Sequence, residues 1–277
     1  GLFEEARAAF EAEASLGGET DQSLAYLTIR VGNETMQSWP SEVACADRVT
    51  RVVSDAVQDT AVACVPLDAL PPLSGDWQRR LSVVHVTPVA STMECRMLIN
   101  VCEEHASAHG GWDQAGHHDA HPTRDLVVAS VPYVLSWLNQ RLNSTILPAL
   151  AHQFGVDPSD LWLTDAFVVK YAADGQPGLA HHVDDSEISF NILLSDEATF
   201  EGGGTHFDAL GSAITPAQGE MVSHCGLLRH AGREVTAGAR YILAGFVRAR
   251  PLAAEWRSVR RFLKEEHDAR LLREEDE

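Results

Sequence analysis

The sequence predicts an α+β fold in which an antiparallel β sandwich or barrel carries α-helices on its outside. Three observations lead there. From Leu161 onward, short β-rich runs (Ala166–Tyr171, Ile188–Leu194, Glu220–Ser223, Tyr241–Val247) alternate with Gly, Pro and Asp, the punctuation of antiparallel hairpins. Upstream, two stretches place apolar residues at helical spacing. The third is size: 277 residues, 45% of them hydrophobic and 22% charged, can build one large core without staples.

Taken in chain order, residues 2–14 (Leu2, Phe3, Ala6 and Phe10 among Glu and Arg) read as a short amphipathic helix, and residues 24–31 as a strand. The region from there to Pro72 is mixed. Leu81 to Val89 is β-rich and runs into Ser91-Thr92-Met93-Glu94. There a Ser hydroxyl can accept from the N–H three residues on while the Glu side chain reaches back, a capping box. A helix is expected from this point to about His109, burying Met93, Met97, Leu98 and Val101. Gly110 to Arg124 is a polar loop holding Trp112, His117, His118 and His121, which can meet a substrate or simply face water. A second helical stretch starts near Pro132, whose missing N–H is no loss in a first turn. It carries Val134, Leu135, Leu138, Leu142, Ile146, Leu147 and Leu150. Ala253 to Glu277 reads as a charged helix whose Trp256, Val259, Phe262 and Leu263 dock back on the domain or mediate dimerisation. The expected division is an accessory region over 1–83, the functional domain over 84–250 and a charged tail over 251–277.

Charge and composition exclude some functions. A net charge of -19 disfavours non-specific nucleic-acid binding, which needs clustered Lys and Arg. No apolar run approaches the ~20 residues of a membrane-spanning helix. The five cysteines (Cys45, Cys64, Cys95, Cys102, Cys225) contain no CxxC pair, which argues against structural zinc. They read as buried thiols, with a Cys45–Cys64 disulfide as the alternative. No signal peptide is visible and the chain starts at Gly1, so secretory pathway and cytoplasm both stay open. The oligomeric state is open as well.

Thirteen histidines raise the question of a metal. His-x-Asp occurs three times, at His117–Asp119, His182–Asp184 and His206–Asp208, and in so His-rich a chain the motif alone decides nothing. The first lies in the polar loop, and the third has only His224 or His230 as further partners. His182–Asp184 precedes the apolar alternation Ile188, Phe190, Ile192, Leu194, which places it at the start of a strand. Side chains at i and i+2 of extended chain point the same way, roughly 6–7 Å apart at the Cα atoms. A third ligand must come from a distant strand, and His230 is suited to that. Two histidines and a carboxylate on one face of an ion form the facial triad of non-haem Fe(II) oxygenases. The same donors suit hydrolytic zinc. Structural histidines are the third reading, and spacing does not choose among them.

An ordered series of segments narrows the choice. Phe167-Val168-Val169-Lys170-Tyr171, Gln176-Pro177-Gly178-Leu179 and His181-His182-Val183-Asp184-Asp185-Ser186 come first. Ser189-Phe190-Asn191-Ile192, Glu201 through Phe207, Pro216-Ala217-Gln218-Gly219, His230-Ala231-Gly232 and Gly238-Ala239-Arg240-Tyr241-Ile242 follow. Together they resemble the catalytic domain of procollagen lysyl hydroxylases, within the prolyl 4-hydroxylase class of Fe(II)/2-oxoglutarate dioxygenases. Pro122-Thr123-Arg124-Asp125-Leu126 resembles a segment just upstream in that family. The likeness covers roughly residues 86–250. Val183 and Asp185 depart from the animal enzymes, the glycosyltransferase regions have no counterpart, and residues 1–80 and 251–277 match nothing.

The resemblance implies a double-stranded β-helix (jelly-roll) core with flanking α-helices. It makes His182, Asp184 and His230 the Fe(II) ligands, and Arg240 the anchor of the distal carboxylate of 2-oxoglutarate, a task suited to a permanently charged fork. Tyr171 and Asn191 match positions near the co-substrate. Asn191 has the opposite strand parity to Asp184, so it reaches the pocket only through an intervening bulge or turn. His181, His206 and His224 are expected to be structural or pocket-lining, and Gly202 to Gly204 to form a hairpin turn. The implied reaction is O2-dependent hydroxylation of a C–H bond with release of succinate and CO2. Its ascorbate requirement is open. Related halogenases carry a small residue where this chain has Asp184, which favours hydroxylation. The implied substrate is a peptidyl lysine or proline. A free amino acid or other small molecule is the alternative, as is a non-catalytic jelly-roll binding module.

Overall fold

A computed structural model of the chain describes residues 60–112, 123–253, 255, 256 and 259. The helix expected at 2–14, the strand at 24–31, the loop histidines, Cys45 with its disulfide alternative, and Phe262 and Leu263 of the tail lie outside these residues.

Two antiparallel sheets make up the body. The large one has the order β1-β2-β10-β6-β12-β4-β3, with β7 added against β12; the small one is β5-β11-β8-β9. The strands are Ala61–Cys64 (β1), Val83–Pro88 (β2), Asp125–Val127 (β3), Leu161–Ala172 (β4), Leu179–His182 (β5) and Ile188–Leu193 (β6). Then come Phe200–Gly202 (β7), Thr205–Phe207 (β8), Ser212–Ile214 (β9), Glu220–Cys225 (β10), His230–Gly232 (β11) and Val235–Ala249 (β12). From β4 onward the chain passes back and forth between the sheets: β4 large, β5 small, β6 large, β8 and β9 small, β10 large, β11 small, β12 large. That winding is the double-stranded β-helix expected from the sequence. Side chains alternate between sheet faces, so the large sheet buries two layers. Val168, Ile192 and Leu243, in mutual register, join the core shared with the helices. Val169, Leu193 and Ile242 join Phe167 and Tyr171 on the other face. All six residues of β6 are buried.

Among the described residues the outer core is closed by Trp77–Leu81 (α1), Thr92–Ala108 (α2), Pro132–Arg141 (α3) and Leu147–Phe154 (α4). The capping box of α2 forms: Ser91 Oγ accepts from Glu94 N, while Glu94 Oε2 accepts from Ser91 N at 2.9 Å. The buried stripe of α2 is Cys95, Leu98, Cys102 and Ala106. Met93, expected inside, is 58% exposed on the first turn. Between α3 and α4 the helix widens into a π turn over Leu142–Ile146. Pro148 accounts for it: the residue has no N–H to give and its ring crowds the carbonyl four residues back, so the turn opens by one residue. Cys95, Cys102 and Cys225 are buried free thiols.

The core is wider than the span 84–250. β1 pairs with β2, and Val65, Leu70, Leu73 and Leu81 belong to the same cluster as α2–α4. Beyond residue 250, Leu252, Trp256 and Val259 are buried in it.

Candidate metal centre and co-substrate pocket

The small sheet brings the histidines of the candidate triad together. β5 and β11 are antiparallel with His182 directly opposite His230, so two residues 48 positions apart share one face, their rings 4.3 Å apart between centroids. Asp184 does not sit at the start of β6, as the sequence suggested. His182 closes β5, Asp184 follows outside any strand, and the bend at 185–187 carries the chain across to the large sheet. The Asp184 N–H is held by the Gly226 carbonyl at 2.8 Å, which aims the carboxylate back at the histidines. The same bend resets strand parity, so Asn191 faces the pocket after all.

The geometry suits an ion. His182 Nε2 lies 3.4 Å from Asp184 Oδ1, and His230 Nε2 lies 3.7 Å from Asp184 Oδ2. All three ligand atoms fall within 4.8 Å of one another. Ligand atoms at about 2.1 Å from a shared ion stand about 3 Å apart when adjacent in an octahedral site, close to what is seen. Each ring is oriented from behind: Nδ1 of His182 donates to the Ala180 carbonyl and Nδ1 of His230 to the Leu228 carbonyl, both at 2.8 Å. That fixes the tautomer and leaves both Nε2 lone pairs for a metal. Burial alone would raise the Asp184 carboxyl, but the His230 and His182 rings outweigh it and hold it below the usual carboxylate range. The carboxylate is therefore anionic.

His224 is the next histidine in the pocket. Its ring is 4.6 Å from that of His230, and its Nδ1 donates to the Cys225 carbonyl at 2.8 Å. Burial, reinforced by His230, pushes its pKa down to about 3, so it is a neutral wall of the site. His181 and His206 point to the other face of the small sheet and are not part of the cluster.

At the far end of the pocket stands Arg240, which is 2% exposed. β12 pairs Arg240 with Tyr171 on β4, and the guanidinium carbon lies 5.9 Å from the Tyr171 ring. Its Nη2 is buried without a hydrogen-bond partner. Burial lowers the guanidinium only to about 10, so it is cationic at neutral pH. A buried cation with an idle donor facing a cavity is costly unless something fills the place. An anion does so, and a dicarboxylate spanning from Arg240 towards the histidines fits this donor set. Gly203 makes the arrangement sterically feasible, because a Cβ there would come within 2.8 Å of Arg240 Cδ. Gly202 to Gly204 do not form the expected hairpin turn, because β7 pairs with β12 and β8 with β11 and β9; they link the two sheets and leave room for Arg240. Burial raises the Tyr171 phenol to about 12, keeping it protonated and able to donate.

Asn191, expected near the co-substrate, is joined in the lining by polar residues that the motifs did not single out. Asn191 Nδ2 donates to Thr205 Oγ1 at 3.2 Å, and Ser189 and Thr123 also face the cavity. Ser189 shares the parity of Asn191, a signal available once β6 is placed. Phe167 and Phe246, in edge contact at 5.5 Å, supply an apolar part of the wall.

No family model matches the chain. It is 31% identical over 172 residues to the multifunctional procollagen lysine hydroxylase and glycosyltransferase LH3 of Rattus norvegicus, covering 59% of this chain and 23% of that protein. To the procollagen-lysine,2-oxoglutarate 5-dioxygenase of Drosophila melanogaster it is 30% identical over 174 residues, covering 57% and 23% respectively. The chain thus spans about a quarter of the length of these relatives. Among solved structures, an oxidoreductase of the 2OG-Fe(II) oxygenase family from Burkholderia pseudomallei superposes with a TM-score of 0.46 at 17% identity, covering 65% of this chain and 93% of the other. By sequence, then, somewhat more than half of the chain is similar to the procollagen lysine hydroxylases.

Proposed function

We propose that this chain is an Fe(II)- and 2-oxoglutarate-dependent dioxygenase that hydroxylates a C–H bond, with a peptidyl lysine or proline as substrate and succinate and CO2 as co-products. The observation that carries this reading is the pairing of two half-sites across one cavity. His182, Asp184 and His230 converge at one end, and Arg240 presents an idle buried donor at the other. A metal site alone explains the first; only a site for a small anion beside the metal explains both. A hydrolytic zinc site gives Arg240 a task only where the substrate itself carries an anionic group.

The residues divide the work. His182, Asp184 and His230 would occupy one face of a ferrous ion and leave the opposite face open. The chemistry that ion supplies when bound is activation of O2, coupled to oxidative decarboxylation of 2-oxoglutarate. Arg240 grips the far carboxylate, with the Tyr171 hydroxyl as a second donor, and so sets the orientation of the co-substrate. The apolar wall of Phe167 and Phe246 excludes water from the reacting carbon. Similarity to hydroxylases of procollagen lysine supports a lysyl substrate, and the net charge of -19 suits a cationic peptide.

The test is succinate formation by the purified protein with Fe(II), ascorbate and 2-oxoglutarate. A peptide library is scored in parallel by mass spectrometry for the gain of one oxygen. Asp184→Ala is expected to abolish both signals. Absence of metal-dependent turnover with every peptide and free amino acid tried refutes the reading.

A further inference from the structure

On the outer face of the small sheet one carboxylate reaches the chain neighbours of both histidine ligands. Asp208 follows β8 directly. His181 Nδ1 lies 2.5 Å from its Oδ1, and Arg229 Nε donates to its Oδ2 at 3.0 Å. His181 immediately precedes His182, and Arg229 immediately precedes His230. The backbone closes the same link, because the Asp208 N–H donates to the Arg229 carbonyl at 3.1 Å. From the inner face Phe207, opposite His230 in the β8–β11 ladder, sets its ring 5.9 Å from that ligand.

This bracing falls where the ladder is weakest. Among the described residues β5 is an edge strand paired only with β11. The two strands have four and three residues, and their register slips between His230 and Gly232. Few backbone hydrogen bonds therefore fix the distance between His182 and His230. Asp208 reaches past β11 to the edge strand and fastens it.

We propose that Asp208 is a positioning residue that clamps β5 to β11, so that the two histidine Nε2 atoms keep the separation a shared ion requires. The inference rests on the metal reading given above. The two pairs are partly exposed, with side-chain accessibilities of 46% for His181, 61% for Arg229 and 34% for Asp208, so each is individually weak in water. Their effect is on the alignment of the ligands rather than on whether the chain folds.

Co(II), whose visible absorption reports ligand geometry, is the probe, added to the metal-free full chain. Asp208→Asn is expected to bind Co(II) about three- to tenfold more weakly than the wild type, given the usual size of exposed pairs. Its visible bands should shift while its metal-free thermal midpoint stays unchanged. Asp208→Glu, which keeps the charge, should recover most of the affinity. An Asp208→Asn protein with wild-type Co(II) affinity and spectrum overturns the clamp alone. Equal losses of metal-free stability and Co(II) affinity overturn it too, in favour of a folding role. A wild-type protein that takes up no Co(II) overturns the metal reading itself.

Discussion

At the scale of the residue, Arg240 shows a side chain held at a cost to the fold. It is 2% exposed and one of its terminal nitrogens has no partner, while Gly203 has given up a side chain to admit it. Replacing a buried, poorly paired charge with an apolar group of similar volume is often stabilising by about 1–4 kcal/mol. Losing one side of a buried charged hydrogen bond to a ligand costs about 2–5 kcal/mol of binding. The two expectations have opposite signs, which makes them diagnostic. Arg240→Met should raise the thermal midpoint of the metal-free protein while raising the KM for 2-oxoglutarate at least about 30-fold. Differential scanning fluorimetry with a succinate-release titration reads both. If the variant is destabilised and retains its KM, Arg240 is a structural residue. The sequence matched position 240 to a carboxylate anchor, but the want of a partner arises only when β4, β12 and the Gly202–Gly204 link meet around it.

At the scale of the element, Glu94 does more than complete a cap. Besides receiving the Ser91 N–H, its carboxylate accepts from Trp137 Nε1 at 2.9 Å and from Arg141 Nη2, tying the first turn of α2 to α3. Burial would raise this carboxyl, but the Ser91 backbone bond and the Arg141 guanidinium outweigh it and hold it below its ordinary value. Arg141 is 1% exposed, so Glu94→Ala strands a buried cation as well as uncapping a helix. The expected loss is about 3–5 kcal/mol from the broken pair, a large share of a typical domain's stability. Urea unfolding at neutral pH measures it, and a loss under about 1 kcal/mol would reduce Glu94 to an ordinary cap. Arg141→Met, which removes the cation instead, should cost much less. The contrast shows what local sequence can carry. The capping box was legible because all its partners lie within four residues, and strands β4, β6, β10 and β12 because alternation is local. The Glu94–Arg141 pair spans 47 residues, and the π turn before Pro148 depends on a carbonyl in the preceding turn. The strand to which His182 belongs was misread because an apolar run following a motif does not tell which sheet the motif lies in. The family resemblance named three residues that the fold does bring together, while their placement on β5, the bend and β11 needed the long-range pairing.

At the scale of the whole molecule, the large sheet separates two polar interiors of opposite purpose. One face holds the candidate metal centre. On the other, His85 of β2 is buried against the edge of the Phe154 ring, 5.4 Å away, with Nδ1 3.0 Å from Thr60 Oγ1. Gln153 of α4 extends the network, donating to Thr87 Oγ1 at 2.7 Å and accepting from Ser223 Oγ at 2.7 Å. β2, β10, α4 and the residue before β1 are thus joined through neutral groups. Burial, with His152 adding to it, lowers the His85 pKa to about 4. An exposed histidine in the unfolded chain titrates near 6.5, so between these values the unfolded state binds the extra proton. The sign follows: the contribution of His85 is complete above about pH 6.5, falls as pH drops through the window, and is exhausted below about pH 4. At about 1.4 kcal/mol per pH unit, moving from pH 7 to pH 5 should cost about 2 kcal/mol through this group alone. His224, lowered by burial to about 3, pulls in the same direction, so wild-type acid sensitivity by itself assigns nothing. The decisive quantity is the difference between wild type and His85→Gln in urea-derived stability at the two pH values. That difference should shrink by about 2 kcal/mol at pH 5, because the amide keeps the Thr60 contact and has no proton to gain. Parallel pH profiles would mean that His85 titrates alike in both states, and that the polar layer behind the sheet plays no part in acid unfolding.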